Sequence, residues 1–224
     1  MKEKEKKDLL TGIGFLGAFI LWTILIQCID VREVGPNGTK IGFAAFNVWF
    51  HRLTGVHMAL YTVTDWLGLV PIFICICFGV LGFSQLIRRR SLFRVDPDLL
   101  LLGVYYVLVI MAYLLFEMIP INYRPILIEG RLEASYPSST TLLVLSVMPT
   151  LIFQMKHRSS DLSLKAATLF ASVFSVFMVI GRLFSGVHWA TDIVASVLLS
   201  TGLYMLYRAS VQFSDRKKRK DGIQ

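Results

Sequence analysis

An all-α bundle of about six membrane-spanning helices is the fold class predicted by three features of this sequence: its apolar excess, the lengths of its apolar runs, and the alternation of basic with less basic connections. Of its 224 residues, 55% are hydrophobic and 12% aromatic, more apolar side chain than a soluble domain of this size can bury. Lipid is therefore the solvent for much of the surface. Only helical runs of about 20 apolar residues cross roughly 30 Å of hydrocarbon with every backbone amide and carbonyl satisfied within the segment.

Residues 9–28 form the first such run, after a basic start with Lys2, Lys4, Lys6 and Lys7. It is too long for a secretory leader and no small-residue cleavage motif follows it, so it reads as an uncleaved helix. The next candidates are 66–87, 99–119, 141–155 (beginning nearer Ser138), 166–183 and 189–207. Two connections are short and basic, with Arg88, Arg89, Arg90 and Arg94 in one, and Lys156, His157, Arg158 and Lys165 in the other. The end of the chain carries Arg216, Lys217, Lys218, Arg219 and Lys220.

Positive residues collect on the cytoplasmic side, which places these four regions there and requires an even number of spans. Segments 29–65 and 120–137, and the turn at Ser185 and Gly186, then face outward. The expected organisation is a basic cytoplasmic N-terminus (1–8), a six-span membrane domain (9–210) and a basic cytoplasmic tail (211–224). The formal charge of +8 comes mainly from juxtamembrane clusters, so its expected partners are anionic lipids at the cytoplasmic face rather than nucleic acid.

Within the first outward segment, residues 41–60 are aromatic-rich yet broken by polar residues, as suits an interfacial helix on the outer leaflet. His51 and His57 read as interface residues there. Asn37-Gly38-Thr39 is a glycosylation sequon. Cys28, Cys75 and Cys77 lie in or beside apolar runs and read as small hydrophobes rather than a disulfide or metal framework.

The informative polar residues gather at the outward ends of the last four spans: Arg124-Pro125, Tyr136-Pro137-Ser138-Ser139-Thr140, Gly181-Arg182, and His188 with Asp192. A bundle brings such ends together. Ser138, after a proline at a helix start, is placed as an N-cap whose following N–H groups form an anion site. Arg124 and Arg182 offer planar forks of donors suited to phosphate oxygens. His188 and Asp192 are four residues apart, one face of a helix, where a carboxylate can orient an imidazole as a nucleophile or simply pair with it.

In this order the segments resemble the type 2 phosphatidic acid phosphatases, or lipid phosphate phosphatases, over about residues 60–210. That family's motifs are K-x-x-x-x-x-x-R-P, P-S-G-H and S-R-x-x-x-x-x-H-x-x-x-D. The counterparts here run from Glu117 to Arg124-Pro125, over Pro137-Ser138-Ser139-Thr140, and from Gly181-Arg182 through His188 to Asp192. The resemblance implies an integral membrane protein of the cell envelope that hydrolyses a lipid phosphate or diphosphate at its extracytoplasmic face. It makes His188 the nucleophile, Asp192 its orienting partner, and Arg124, Ser138, Ser139, Thr140 and Arg182 the substrate-binding set, with no metal and no cofactor.

Three positions depart from the family pattern. Glu117 stands in place of a lysine, Thr140 in place of the histidine that protonates the leaving group, and Gly181 in place of serine. A threonine hydroxyl is not an acid near neutral pH, and loss of a general acid costs about 10²- to 10⁴-fold. A diphosphate, whose leaving phosphate is already a stable anion, is the substrate least affected, so a polyprenyl diphosphate is the favoured expectation. The alternatives are a weakened or inactive relative that binds a lipid headgroup, and a phosphotransferase. Glu117 is read either as the ion-pair partner of Arg124 or Arg182, or as a substitute acid.

Overall fold

The computed structural model describes residues 3–220; Lys2, and the side chains of His157, Arg219 and Lys220, counted above among the basic flanks, lie outside that description. Eight α-helices are described: α1 (Glu3–Cys28), α2 (Ala44–Thr54), α3 (Met58–Leu67), α4 (Leu69–Arg89), α5 (Pro97–Met118), α6 (Ser139–Arg158), α7 (Asp161–Phe184) and α8 (Ala190–Lys220). A two-residue antiparallel ladder, β1 (Arg32–Glu33) and β2 (Lys40–Ile41), lies between α1 and α2. The sequon residue Asn37 sits at its tip with φ +55°, a conformation asparagine tolerates.

Six helices are long and apolar enough to cross a membrane, with α3 and α4 counting as one, Met58–Arg89. The two central spans are α6 and α8, half or more buried, whereas the other four bury 11–22% of their apolar windows. Large apolar side chains such as Ile20, Phe73, Ile110 and Phe177 accordingly lie exposed on the outer helices, as in a bundle dissolved in lipid. The inner faces of α6 and α8 carry buried Ser146, Thr150, Gln154, Ser196 and Ser200. Several are satisfied across the bundle: Tyr105 donates to the Ser146 carbonyl at 3.0 Å, and Gln154 Nε2 to the Tyr207 hydroxyl at 2.6 Å.

Against α8 lies α1, brought close by two glycines. A Cβ on Gly12 would lie 2.8 Å from Leu206 Cδ2, and one on Gly202 would lie 2.8 Å from Leu16 Cδ2. At their far ends Asp8 receives both Arg208 (3.0 and 3.1 Å) and Gln212 (2.8 Å), and Glu5 pairs with Arg216 at 3.3 Å. The stretch expected to form a separate tail continues α8 through Lys220. It holds no glycine or proline before that point, and its Arg216 pairs with Glu5 of α1.

The second span begins eight residues before its expected start. Residues 58–65 are helical although Tyr61, Thr62, Thr64 and Asp65 dilute their apolar character. The junction of α3 with α4 is Gly68, where a Cβ would stand 2.8 Å from the Asp65 carbonyl and 3.6 Å from Thr140 Cγ2. A side chain at Gly68 would therefore crowd the last turn of α3, while meeting Thr140 only at ordinary contact distance.

Candidate active site

The segment 120–137 folds back on itself. Arg124 N donates to the Glu133 carbonyl (3.0 Å) and Ser135 N to the Asn122 carbonyl (2.9 Å), around a tight turn at Glu129 and Gly130, both with positive φ. The fold-back sets Asn122, Arg124 and Ser135 over the ends of α6 and α8. The turn from α7 to α8 is packed from the other side: His57 N donates to the Ser185 carbonyl (3.0 Å), and the His51 ring nitrogen meets the Gly186 carbonyl at 3.1 Å. His51 also lies against the Trp189 ring at 5.6 Å, so this expected interface residue packs on the turn that carries His188.

His188 is buried, and its Nδ1 lies 3.0 Å from the carbonyl of Ser135. A carbonyl only accepts, so Nδ1 carries the proton and Nε2 keeps its lone pair. Burial, then the charges of Arg124 and Arg182, drive the imidazole pKa well below its ordinary value against the opposing pull of the Ser135 carbonyl. The ring is thus neutral at physiological pH, as a nucleophile must be.

Asp192 does not bond His188. Helix α8 begins at Ala190, so His188 precedes it and the four-residue spacing does not place the pair on one helical face. Asp192 instead accepts from Asn122 Nδ2 (3.0 Å), from the Trp189 backbone N–H (3.0 Å), and from the Ser135 hydroxyl in a short hydrogen bond. Ser135 therefore joins the two: its hydroxyl is held by Asp192 and its carbonyl holds the imidazole. The orientation expected from Asp192 directly reaches His188 through that residue.

Arg182 is 1% exposed. Its Nη2 donates to Thr140 Oγ1 (2.6 Å) and Asp65 Oδ1 (3.3 Å), and Nη1 lies 3.5 Å from Thr64 Oγ1. The Arg182 guanidinium lies 5.0 Å, and that of Arg124 5.7 Å, from the centre of one ring, Tyr61, which so gathers the two cations. Glu133 Oε2 lies 3.1 Å from Arg124 Nε but off the line of its N–H. Six buried side-chain polar atoms among the described residues have no hydrogen-bond partner, and four of them are His188 Nε2, Arg182 Nε, and Arg124 Nε and Nη1. Buried donors are otherwise nearly always satisfied, so this concentration marks a place built for an anion.

The remaining expected residues divide. Ser138 occupies the N-cap position of α6, but its hydroxyl donates to Thr141 Oγ1 at 3.1 Å rather than capping the helix, and it is fully buried. Ser139 and Thr140 line a cavity of about 540 Å³ between α4, α5 and α6, continued by apolar Leu69, Ile72, Leu143 and Val147. Glu117 is exposed near the end of α5 and forms no ion pair with either arginine among the described contacts. Those partners are Glu133 and Asp65, because α5 ends at Met118 and the chain doubles back before reaching the arginines. At Gly181 a Cβ would stand 2.7 Å from Thr64 Cγ2, which explains why serine is not accommodated there. Among the described residues no group of three or more His, Cys, Asp or Glu side chains is placed to hold a metal ion.

Sequence reading passed over Tyr61, Thr64, Asp65, Asn122 and Ser135. Two of these carried a signal: Asp65 is an ionisable residue at a membrane end, and Asn122 lies two positions before Arg124.

The family model described as the PAP2 superfamily matches residues 72–216. No curated protein matches the chain. Among solved structures, the fold is similar to that of a transmembrane PAP2-type phosphatidylglycerolphosphate phosphatase from Bacillus subtilis. The TM-score is 0.65 at 17% identity, over 93% of this chain and 98% of that one.

Proposed function

This chain belongs to the PAP2 superfamily, and from that premise we propose that it is an integral membrane phosphatase that frees phosphate from a lipid phosphate or diphosphate through a phosphohistidine at His188. The observation that carries the reading is the state of the imidazole: neutral, fixed through Nδ1, and buried with an unpartnered Nε2 among arginine donors that are themselves unpartnered. A phosphoryl group at that point meets a nucleophile on one side and fixed positive charge around its oxygens, which is what transfer to nitrogen requires. Asp192 and Ser135 hold the nucleophile, Arg124 and Arg182 bind the phosphate, and Thr140 with Ser139 lines the way in.

The cavity beside Thr140 supports a lipid substrate, since its apolar walls suit a hydrocarbon chain while its polar end meets Arg182. A polyprenyl diphosphate is the less demanding substrate, because its leaving phosphate needs no proton; a monoester needs a donor that Thr140 is not. The basic flanks support cytoplasmic termini, their contact with anionic lipid there, and an extracytoplasmic site. Helix α2, with exposed Phe46, Trp49 and Leu53, then lies along the outer leaflet, within a membrane domain spanning about residues 9–210.

The test is to incubate detergent-purified protein with phosphate-labelled polyprenyl diphosphate and phosphatidate, with and without His188→Ala, following phosphate release and acid-labile label on the protein. Release and label that vanish in His188→Ala are expected. Release unaltered by His188→Ala discards the mechanism, and no release from any lipid turns the site into a headgroup-binding one.

A further inference from the structure

We propose that Asp65 is the proton donor to the leaving group, supplying from α3 the acid that Thr140 cannot supply from α6. The inference rests on the phosphatase reading and extends it from diphosphates to phosphomonoesters.

The placement of Asp65 carries the argument. Its Oδ1 lies 3.3 Å from the same Arg182 nitrogen that donates to Thr140 Oγ1 at 2.6 Å. Carboxyl and hydroxyl thus flank one guanidinium nitrogen, and the carboxyl sits beside the position where the second motif has departed from its histidine. Asp65 is also the only carboxylate among the residues lining the cavity that holds Ser139 and Thr140 at its polar end. A lipid with its chain in that cavity and its phosphate on Arg182 has its ester oxygen at the junction of the two, where Asp65 stands. The side chain is 56% exposed, so it reaches the ester oxygen without leaving a buried ion behind.

Two structural choices hold it there. Gly68, where a Cβ would stand 2.8 Å from the Asp65 carbonyl, lets α3 run directly into α4, and Thr64, the neighbour of Asp65, is fully buried against Gly181 and Arg182.

The proton balance is as follows. Asp65 starts as the carboxylate paired with Arg182, and a phosphomonoester that binds as its monoanion brings a proton on a phosphate oxygen, which passes to that carboxylate. His188 Nε2 forms the N–P bond as the P–O bond to the lipid breaks, and the proton on Asp65 goes to the departing alkoxide, giving the free alcohol. Water then attacks the phosphohistidine and gives a proton to the Asp65 carboxylate, and the P–N bond breaks to release phosphate. Asp65 hands that proton to the released phosphate, so His188 returns to the neutral imidazole and Asp65 to the carboxylate paired with Arg182.

Full-length protein in detergent tests this with two probes, phosphatidate and a polyprenyl diphosphate, and the variants Asp65→Asn and Asp65→Glu. Asp65→Asn, which keeps the shape and loses the acid, is expected to lower phosphatidate turnover by about 10²- to 10⁴-fold and diphosphate turnover by less than about tenfold. Asp65→Glu is expected to keep measurable phosphatidate turnover. The diphosphate reaction also reports that Asp65→Asn is folded. Equal losses on both substrates, or wild-type protein that cleaves diphosphate but not phosphatidate, overturn the inference and leave the phosphatase reading standing. If wild-type protein cleaves neither, both fall.

Discussion

Replacing Ser135 by alanine asks whether the His188 imidazole, the proposed nucleophile, is held through this residue. The substitution removes one hydroxyl that donates to the buried Asp192 carboxylate and leaves the carbonyl that holds His188 Nδ1. A hydrogen bond to a charged group contributes about 1.5–3 kcal/mol. Asp192 keeps the Asn122 amide and the Trp189 N–H, both at 3.0 Å, so the carboxylate stays folded in and tied to the fold-back through Asn122, but its direct tie to Ser135 is cut. At about 1.4 kcal/mol per tenfold, full expression in the transition state lowers kcat/KM by roughly 10- to 150-fold. Asp192→Asn loses more, because an amide nitrogen must face one of three donors, yet the His188 tautomer is kept by the Ser135 carbonyl. Its loss therefore stays below the roughly 10⁴-fold seen where a carboxylate directly sets a catalytic tautomer. The assay is phosphate release in detergent, with melting temperatures to separate unfolding from mispositioning. Ser135→Ala at the wild-type rate together with a 10⁴-fold loss in Asp192→Asn would refute the indirect route and restore a direct dyad.

Three further outcomes follow from the geometry. Tyr61→Leu removes the ring that both guanidiniums flank, at about 0.5–2 kcal/mol per contact and so about 1–4 kcal/mol for the two; KM for a lipid phosphate is expected to rise about five- to several-hundredfold with kcat less affected, and Tyr61→Phe to stay within about threefold of wild type. Gly181→Ser restores the family residue but drives its Cβ against Thr64, so thermal unfolding in detergent is expected to show a loss of about 1–3 kcal/mol, relieved in Gly181→Ser with Thr64→Ser, and no gain in rate. Because the folded imidazole of His188 binds its proton only far below the unfolded pKa of about 6.5, the unfolded state takes up the proton first. Stability therefore falls as pH drops below about 6.5, by about 1.4 kcal/mol per unit until the folded pKa is reached, and this part of the slope between pH 7.5 and 5.5 should be missing in His188→Asn.

The spans were legible because lipid imposes one rule, a long apolar run, and 9–28, 99–119 and 166–183 obey it. The second span was read short because 58–65 serves two masters: its outer face meets lipid, while Tyr61, Thr64 and Asp65 turn toward the arginines and lower its average hydropathy. Arg124, Arg182 and His188 were legible as costly polar groups at helix ends. Their connections were not, since they depend on backbone placement. A carbonyl holds His188, and no sequence pattern marks a carbonyl. Spacing alone suggested a helical pair for His188 and Asp192, and the start of α8 at Ala190 decides otherwise. Glu117 occupied the right motif position, but where α5 ends and the chain turns back determined that Glu133 and Asp65 would meet the arginines instead.

The close seam between α1 and α8 also has a consequence for biogenesis. Helix α1 leaves the ribosome first among the described helices and α8 last, yet Gly12 fits against Leu206 and Asp8 against Arg208 only when both are in place. Until α8 arrives, α1 waits in the bilayer with the acidic side chains of Glu5 and Asp8 lacking their final arginines, and α8 also brings Asp192, whose carboxylate holds the Ser135 hydroxyl. On the phosphatase reading proposed above, closure of the bundle and assembly of the His188 site are one late event in synthesis, and a nascent chain short of α8 is expected to release no phosphate.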